Sequence, residues 1–141
     1  MKISASLRSG GETFETSVTT NGVTSSLGIP AKPDGHGSRI NGGELLFLAL
    51  ANCYCYDIYR EAAKRGIDVQ HVEVDVIGEF EGIGEPARSV TYNASVTANA
   101  AESEIQDLMI RTDSVAEIQN TLRAAIPVTL GIAVATSNSG T

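Results

Sequence analysis

Two cysteines, Cys53 and Cys55, are the side chains in this sequence best suited to chemistry. Two residues apart on a helix, they point about 200° away from one another, so they do not bridge easily. This is not a redox dithiol of the C-x-x-C kind, and at most one of the two faces any given pocket. The ordinary reading of a helical cysteine is a small buried hydrophobe; the reactive reading requires a neighbouring cation. A zinc site built from Cys53, Cys55, His36 and His71 is disfavoured, because the cysteines diverge and neither histidine stands at ligand spacing. His36 in a glycine-rich loop and His71 at a strand start read as solvent-exposed. Ser114 and Thr121 carry hydroxyls, but Ser114 has the position of a helix N-cap. Gly35, Gly37, Gly42 and Gly43 lack a following Lys-Ser/Thr, so they form an approach to a helix and not a phosphate cradle. Tyr54, Tyr56 and Tyr59 near the cysteines fit core or interface packing.

The elements that position these residues follow from periodicity. Ile3, Ala5 and Leu7 alternate with serines, residues 9–12 suit a turn, and residues 13–20 are rich in Thr and Val. Asn21-Gly22 is a hairpin turn that leads to a third strand over 23–29. Asn41 and Glu44 have capping-box spacing. The helix they open is apolar all round over 45–51, which predicts burial on every side and a place at the centre of a larger body such as a dimer. Residues 57–65 are amphipathic, with Lys64 and Arg65 in the last turn and Gly66 as its C′ residue. Such a helix is about 36 Å long. Strands are predicted over 69–80, with Val72, Val74 and Val76 inside, and over 88–98, with Val90, Tyr92, Ala94 and Val96 on one face. Helices follow over 101–112 and, from a second capping box at Ser114 to Glu117, to about residue 125. A last strand covers 128–135, with Pro127 at its start. The order β-β-β-α-β-β-α-α-β makes the fold class α+β.

The chain has 141 residues, enough for one domain whose core needs no disulfide or metal staple. The loop over 30–43 lies within that domain, because the segments on either side are too small to hold a core alone. Seventeen acidic against ten basic residues give a formal net charge of −7. That balance argues against nucleic acid and anionic membrane as principal partners. No apolar run is long enough to span a bilayer, no secretory signal is recognised, and the cytoplasm is the expected compartment.

Residues 41–57, NGGELLFLALANCYCYD, resemble the central-helix signature of the OsmC/Ohr family, in which a Pro-Glu-(Glu/Gln)-Leu-Leu-type start runs through Ala-rich turns into a reactive cysteine. The order of elements is similar over almost the whole chain. Asn120-Thr121-Leu122 followed by Ile126-Pro127-Val128 resembles the family's second-cysteine helix and exit strand. The resemblance implies a single OsmC-like domain over residues 1–141, with antiparallel sheets packed around a long central helix in an intertwined homodimer, pockets at the subunit interface, and a link to osmotic or oxidative stress. It also implies a thiol peroxidase, in which Cys53 takes the place of the peroxidatic cysteine and an external thiol or dithiol restores it, with no metal and no bound cofactor. Ala116 falls at the family's second-cysteine position, so an external thiol, or Cys55 across a dimer, must resolve the sulfenic acid. The family's acidic partner falls on Gly43, one place before Glu44, which either does that job or only caps the helix. The family arginine has no match in the N-terminal strands. Arg39 is the best positional substitute, to lower the Cys53 pKa, with Glu44 to orient it. The competing expectation is a non-enzymatic dimer that binds a small apolar or thiol-bearing ligand at the subunit interface.

Overall fold

The computed structural model describes residues 1–10 and 13–138. Three strands come first: β1 (Ile3–Gly10), β2 (Thr13–Thr20) and β3 (Val23–Ser25). They form an antiparallel sheet in sequence order, with Ala5 opposite Val18 and Thr20 opposite Val23. Asn21 and Gly22 both take positive φ, 48° and 83°, as a two-residue turn of the I′ kind requires. Ser9 and Gly10 end β1, and the rest of the turn expected at 9–12 lies outside the described residues. The third strand stops at Ser25, short of the expected residue 29. The Thr16 hydroxyl takes over there: it donates to the Leu27 carbonyl and accepts from the Leu27 N–H, replacing ladder pairing by side-chain bonds.

Helix α1 (Gly42–Lys64) begins at the expected capping box. Glu44 N–H donates to Asn41 Oδ1 at 2.8 Å, and Asn41 N–H donates to Glu44 Oε1 at 3.0 Å. It ends in a Schellman motif: Ile67 N–H reaches the Ala62 carbonyl and Gly66 N–H the Ala63 carbonyl, with Gly66 at φ 66°. Strands β4 (Asp68–Phe80) and β5 (Ala87–Asn99) pair as a long hairpin, followed by α2 (Glu102–Val115) and α3 (Glu117–Ala124). The architecture is α+β with antiparallel sheets.

The chain divides into two compact units. The first comprises residues 1–49 and 76–90. In it, Phe47 stacks on Phe80 with ring centroids 6.0 Å apart. Gly78 is required there: a Cβ would meet Phe47 Cζ at 2.4 Å and the Ser89 carbonyl oxygen at 2.8 Å. The face of β1 bearing Ile3 and Leu7 stays exposed. The second unit comprises residues 50–75 and 91–141 and holds the core. Tyr54, Ile58, Ala62 and Leu108 are buried together, with Val72, Val74, Tyr92, Ala94 and Val96 packed against them, which are the inward positions that alternation predicts. Val90, expected on that inward face, is exposed.

Three expectations are corrected. Ser114 does not cap α3: its hydroxyl donates to the Arg111 carbonyl within the last turn of α2, and Ala116 is the N-cap. Residues 45–51 are not buried on every side within one chain, for Leu48 is 61% exposed. No strand forms over 128–135, for which no ladder partner stands among the described residues; Val128 and Ile132 are 95% and 96% exposed.

Candidate functional site

Cys53 lies in the middle of α1, and the helix repeat places Asp57, Arg60 and Glu61 on its side at four, seven and eight residues' distance. That stripe is polar yet enclosed. Asp57 is only 2% exposed and Glu61 is buried, while Cys53 is half-buried. The N-terminus of α3 completes the site from the far end of the chain. Ala116 as N-cap offers no side-chain bond, and Ile118 N–H bonds Cys53 in its place. Glu117 brings its carboxylate to the same place. Gln119 ties the helices together, with Nε2 donating to the Leu50 carbonyl at 3.0 Å; its buried Oε1 has no partner among the described residues.

The distances define a compact cluster. The Cys53 thiol donates to Asp57 Oδ2 at 3.6 Å, and Glu117 Oε2 lies 3.9 Å from the sulfur. Arg60 Nη1 binds the opposite oxygen of each carboxylate, Asp57 Oδ1 at 3.1 Å and Glu117 Oε1 at 2.9 Å. Its Nε donates to Glu61, which Lys64 also holds, at 2.8 Å. A thiol, a carboxylate in reach of its proton and a guanidinium that orients that carboxylate are thus lined up on α1, and α3 adds a second carboxylate.

Electrostatics set the protonation states. Burial pushes the Cys53 thiol up, and the Asp57 and Glu117 carboxylates push it further, against the Ile118 N–H. Burial also raises the Asp57 carboxyl to about 6, aided by its hydrogen bond with Glu117 and opposed by Arg60. Glu117 is held below the usual carboxylate range, first by a backbone hydrogen bond and then by Asp57 and Arg60. At neutral pH the cluster therefore contains a protonated thiol beside an ionised carboxylate that can accept its proton.

Among the described residues, Cys53, Asp57 and Glu117 are the one group with metal-ligating atoms close enough to share an ion, within 4.8 Å of one another. Arg60 supplies one positive charge to the two carboxylates of that group, through Asp57 Oδ1 and Glu117 Oε1. The expected histidines lie apart: His36 is exposed in its loop, and His71 is exposed on β4 beside Glu73. Cys55 is a free, half-buried thiol two residues beyond Cys53. Arg39 and Glu44 belong to the first unit, where Arg39 N–H donates to the Pro30 carbonyl and Glu44 caps α1. Asp57, Arg60 and Glu117 were not singled out by sequence reasoning. The +4 and +7 spacing from Cys53 carries a signal for the first two; nothing local to Glu117 announces that it meets Cys53.

No helix among the described residues is long and apolar enough to cross a membrane. No curated protein matches the chain in sequence. Among solved structures, the fold is similar to an OsmC-like protein from Mycoplasma pneumoniae, with a TM-score of 0.61, 17% identity and 86% of each chain covered. It is similar to the organic hydroperoxide resistance protein OsmC of Legionella pneumophila, with a TM-score of 0.57 and 20% identity, over 87% of this chain and 90% of that one. It also resembles the organic hydroperoxide resistance protein OhrB of Bacillus subtilis, with a TM-score of 0.52 and 15% identity, over 87% and 91%. Residues 35–131 match the family model described as OsmC-like protein, and this span includes α1, the hairpin and the whole Cys53 cluster. The chain belongs to the family of OsmC-like proteins.

Proposed function

We propose that the chain is a one-cysteine thiol peroxidase that reduces hydroperoxides at Cys53. The observation that carries this reading is the Cys53 thiol donating to the Asp57 carboxylate, itself held by Arg60. Asp57 takes the thiol proton as the sulfur attacks the outer oxygen of ROOH. The O–O bond breaks, Asp57 returns the proton to the leaving alkoxide, and Cys53 becomes a sulfenic acid while the peroxide becomes ROH. Arg60 fixes the Asp57 carboxylate for both proton transfers. The Ile118 N–H favours the transient thiolate. In this reading Arg60 is the cation of the site and acts through Asp57, not by lowering the Cys53 pKa as expected of Arg39, and Glu44 remains the capping carboxylate. No cofactor is required. Because Ala116 bears no thiol, an external one resolves the sulfenic acid; Cys55 points away from Cys53 on α1. Two of the similar structures are named as organic hydroperoxide resistance proteins, which supports an organic hydroperoxide as substrate. The test is peroxide consumption: wild type turns over, Cys53→Ser does not, and unchanged consumption in Cys53→Ser refutes the reading.

The chain also works as a homodimer in this proposal. Leu48 and the apolar residues of segment 126–134 are exposed in the single chain, and a second copy is the natural cover for them. A second reading is favoured by an apolar cavity of about 480 Å³ in the first unit, lined by Ala5, Leu7, Val18, Leu27, Leu45 and Ala49. It is of a size to hold a small apolar ligand, as a non-enzymatic binding protein would. Native mass spectrometry showing a bound ligand, together with an unreactive Cys53, selects that reading.

A further inference from the structure

We propose that Glu117 selects the reductant, and that the external thiol that restores Cys53 carries an amine close to its sulfur. The inference rests on the one-cysteine peroxidase reading. Two carboxylate oxygens face the sulfur, Asp57 Oδ2 at 3.6 Å and Glu117 Oε2 at 3.9 Å. They are the oxygens that Arg60 does not take, for its Nη1 lies on Oδ1 and Oε1 and its Nε on Glu61. The next cations are also directed elsewhere: Lys64 sits on Glu61 at 2.8 Å, and Arg111 Nε is 3.7 Å from Glu61. An incoming thiol therefore meets two negative groups and one positive one. The two carboxylates differ in access. Asp57 is buried, whereas the Glu117 side chain is 53% exposed and open to solvent. A thiol with an ammonium two carbons from its sulfur can pair with Glu117 while its sulfur approaches Cys53. A thiol with a carboxylate in the same place is repelled.

The chemistry balances with this reductant alone. The first aminothiol attacks the Cys53 sulfur; an S–S bond forms, the S–O bond breaks, and hydroxide leaves as water with the thiol's proton. A second aminothiol attacks the outer sulfur of the mixed disulfide, releasing the Cys53 thiol and a symmetrical disulfide. Two thiols are oxidised as one sulfenic acid is reduced.

The test uses full-length Cys55→Ser protein, in which only Cys53 reacts. Cys53 is first converted to its mixed disulfide with 2,2′-dithiodipyridine, and release of pyridinethione is timed with cysteamine and with 3-mercaptopropionate, normalised per thiolate. The expected preference is about tenfold for cysteamine at low salt, shrinking in high salt. In Glu117→Gln the ratio falls towards one, and in Glu117→Lys it reverses. Because the readout is a ratio within each protein, a general loss of reactivity does not mimic the effect. Equal rates in the parent protein, or a ratio that Glu117→Gln leaves intact, overturn the proposal. Trapping of peroxide-treated Cys53 with dimedone reports separately on the peroxidase reading: no sulfenic adduct sinks that reading whatever the thiol preference.

Discussion

At the scale of single residues, Asp57 is the base for Cys53 in the proposed mechanism. Burial raises its carboxyl to about 6, so the base is lost by protonation below that pH. Oxidation of Cys53 by a hydroperoxide is expected to rise from pH 5 to pH 7 with a midpoint near 6. In Asp57→Asn the rate at neutral pH drops by about 10²–10⁴-fold, the usual worth of a positioned base, and climbs only as the thiol itself ionises above its ordinary range. Stopped-flow kinetics at varied pH measure both. The same shift has a consequence for stability. A raised native carboxyl binds more protons than the unfolded one between about pH 4 and 6, so the wild type loses stability as pH rises through that window. Asp57→Asn does not show this fall, and thermal melts across the range detect the difference. Cys53 was legible in the sequence from its place in a helix whose start resembles the family's. Its partners were less so. Asp57 and Glu61 read as the solvated half of an amphipathic helix, yet Arg60 and Lys64 allow both carboxylates to be buried. The contact between Cys53 and Glu117 spans most of the second half of the chain, and periodicity carries no information about such a pairing.

At the scale of elements, local chemistry was the more readable. The capping box at Asn41 and Glu44, the Schellman end at Gly66, the Asn21-Gly22 turn and the alternation of β4 and β5 are all set by neighbours in sequence. Gly66→Ala is expected to cost about 1 kcal/mol, since it forces a Cβ into the left-handed region at φ 66°. The misreadings came where tertiary partners decide. Ser114 and Glu117 have capping-box spacing, but α2 runs on through Ser114, and Asn120 Nδ2 bonds its carbonyl at 3.1 Å. That extra turn matters, because it makes Ala116 the N-cap, and the Ile118 N–H of α3 then bonds Cys53. Leu108, fully buried against Tyr54 and Ile58, anchors α2 in the core. Leu108→Ala is expected to lower stability by about 2–5 kcal/mol in denaturant unfolding.

At the scale of the whole molecule, the strand expected over 128–135 is the informative difference. Its alternating apolar residues are those of a strand, but one chain gives them no ladder and leaves Val128, Leu130, Ile132 and Val134 exposed. Sequence reports the propensity of such a segment and not which copy of the chain supplies its partner. In the homodimer proposed above, the segment is covered by a second copy. Wild type is then expected to sediment as a dimer, and Val128→Lys with Ile132→Lys to weaken association at least tenfold, the equivalent of about 1.4 kcal/mol. A wild type that sediments as a monomer contradicts the dimer but leaves the chemistry at Cys53 standing. That chemistry is the central claim, and intact-mass spectrometry of reduced protein titrated with cumene hydroperoxide tests it most directly. The account predicts a +16 Da product at near-stoichiometric oxidant, formed within seconds, absent in Cys53→Ser and slowed in Asp57→Asn. No modification short of large excess would contradict it, and would leave the apolar cavity of the first unit as the functional feature.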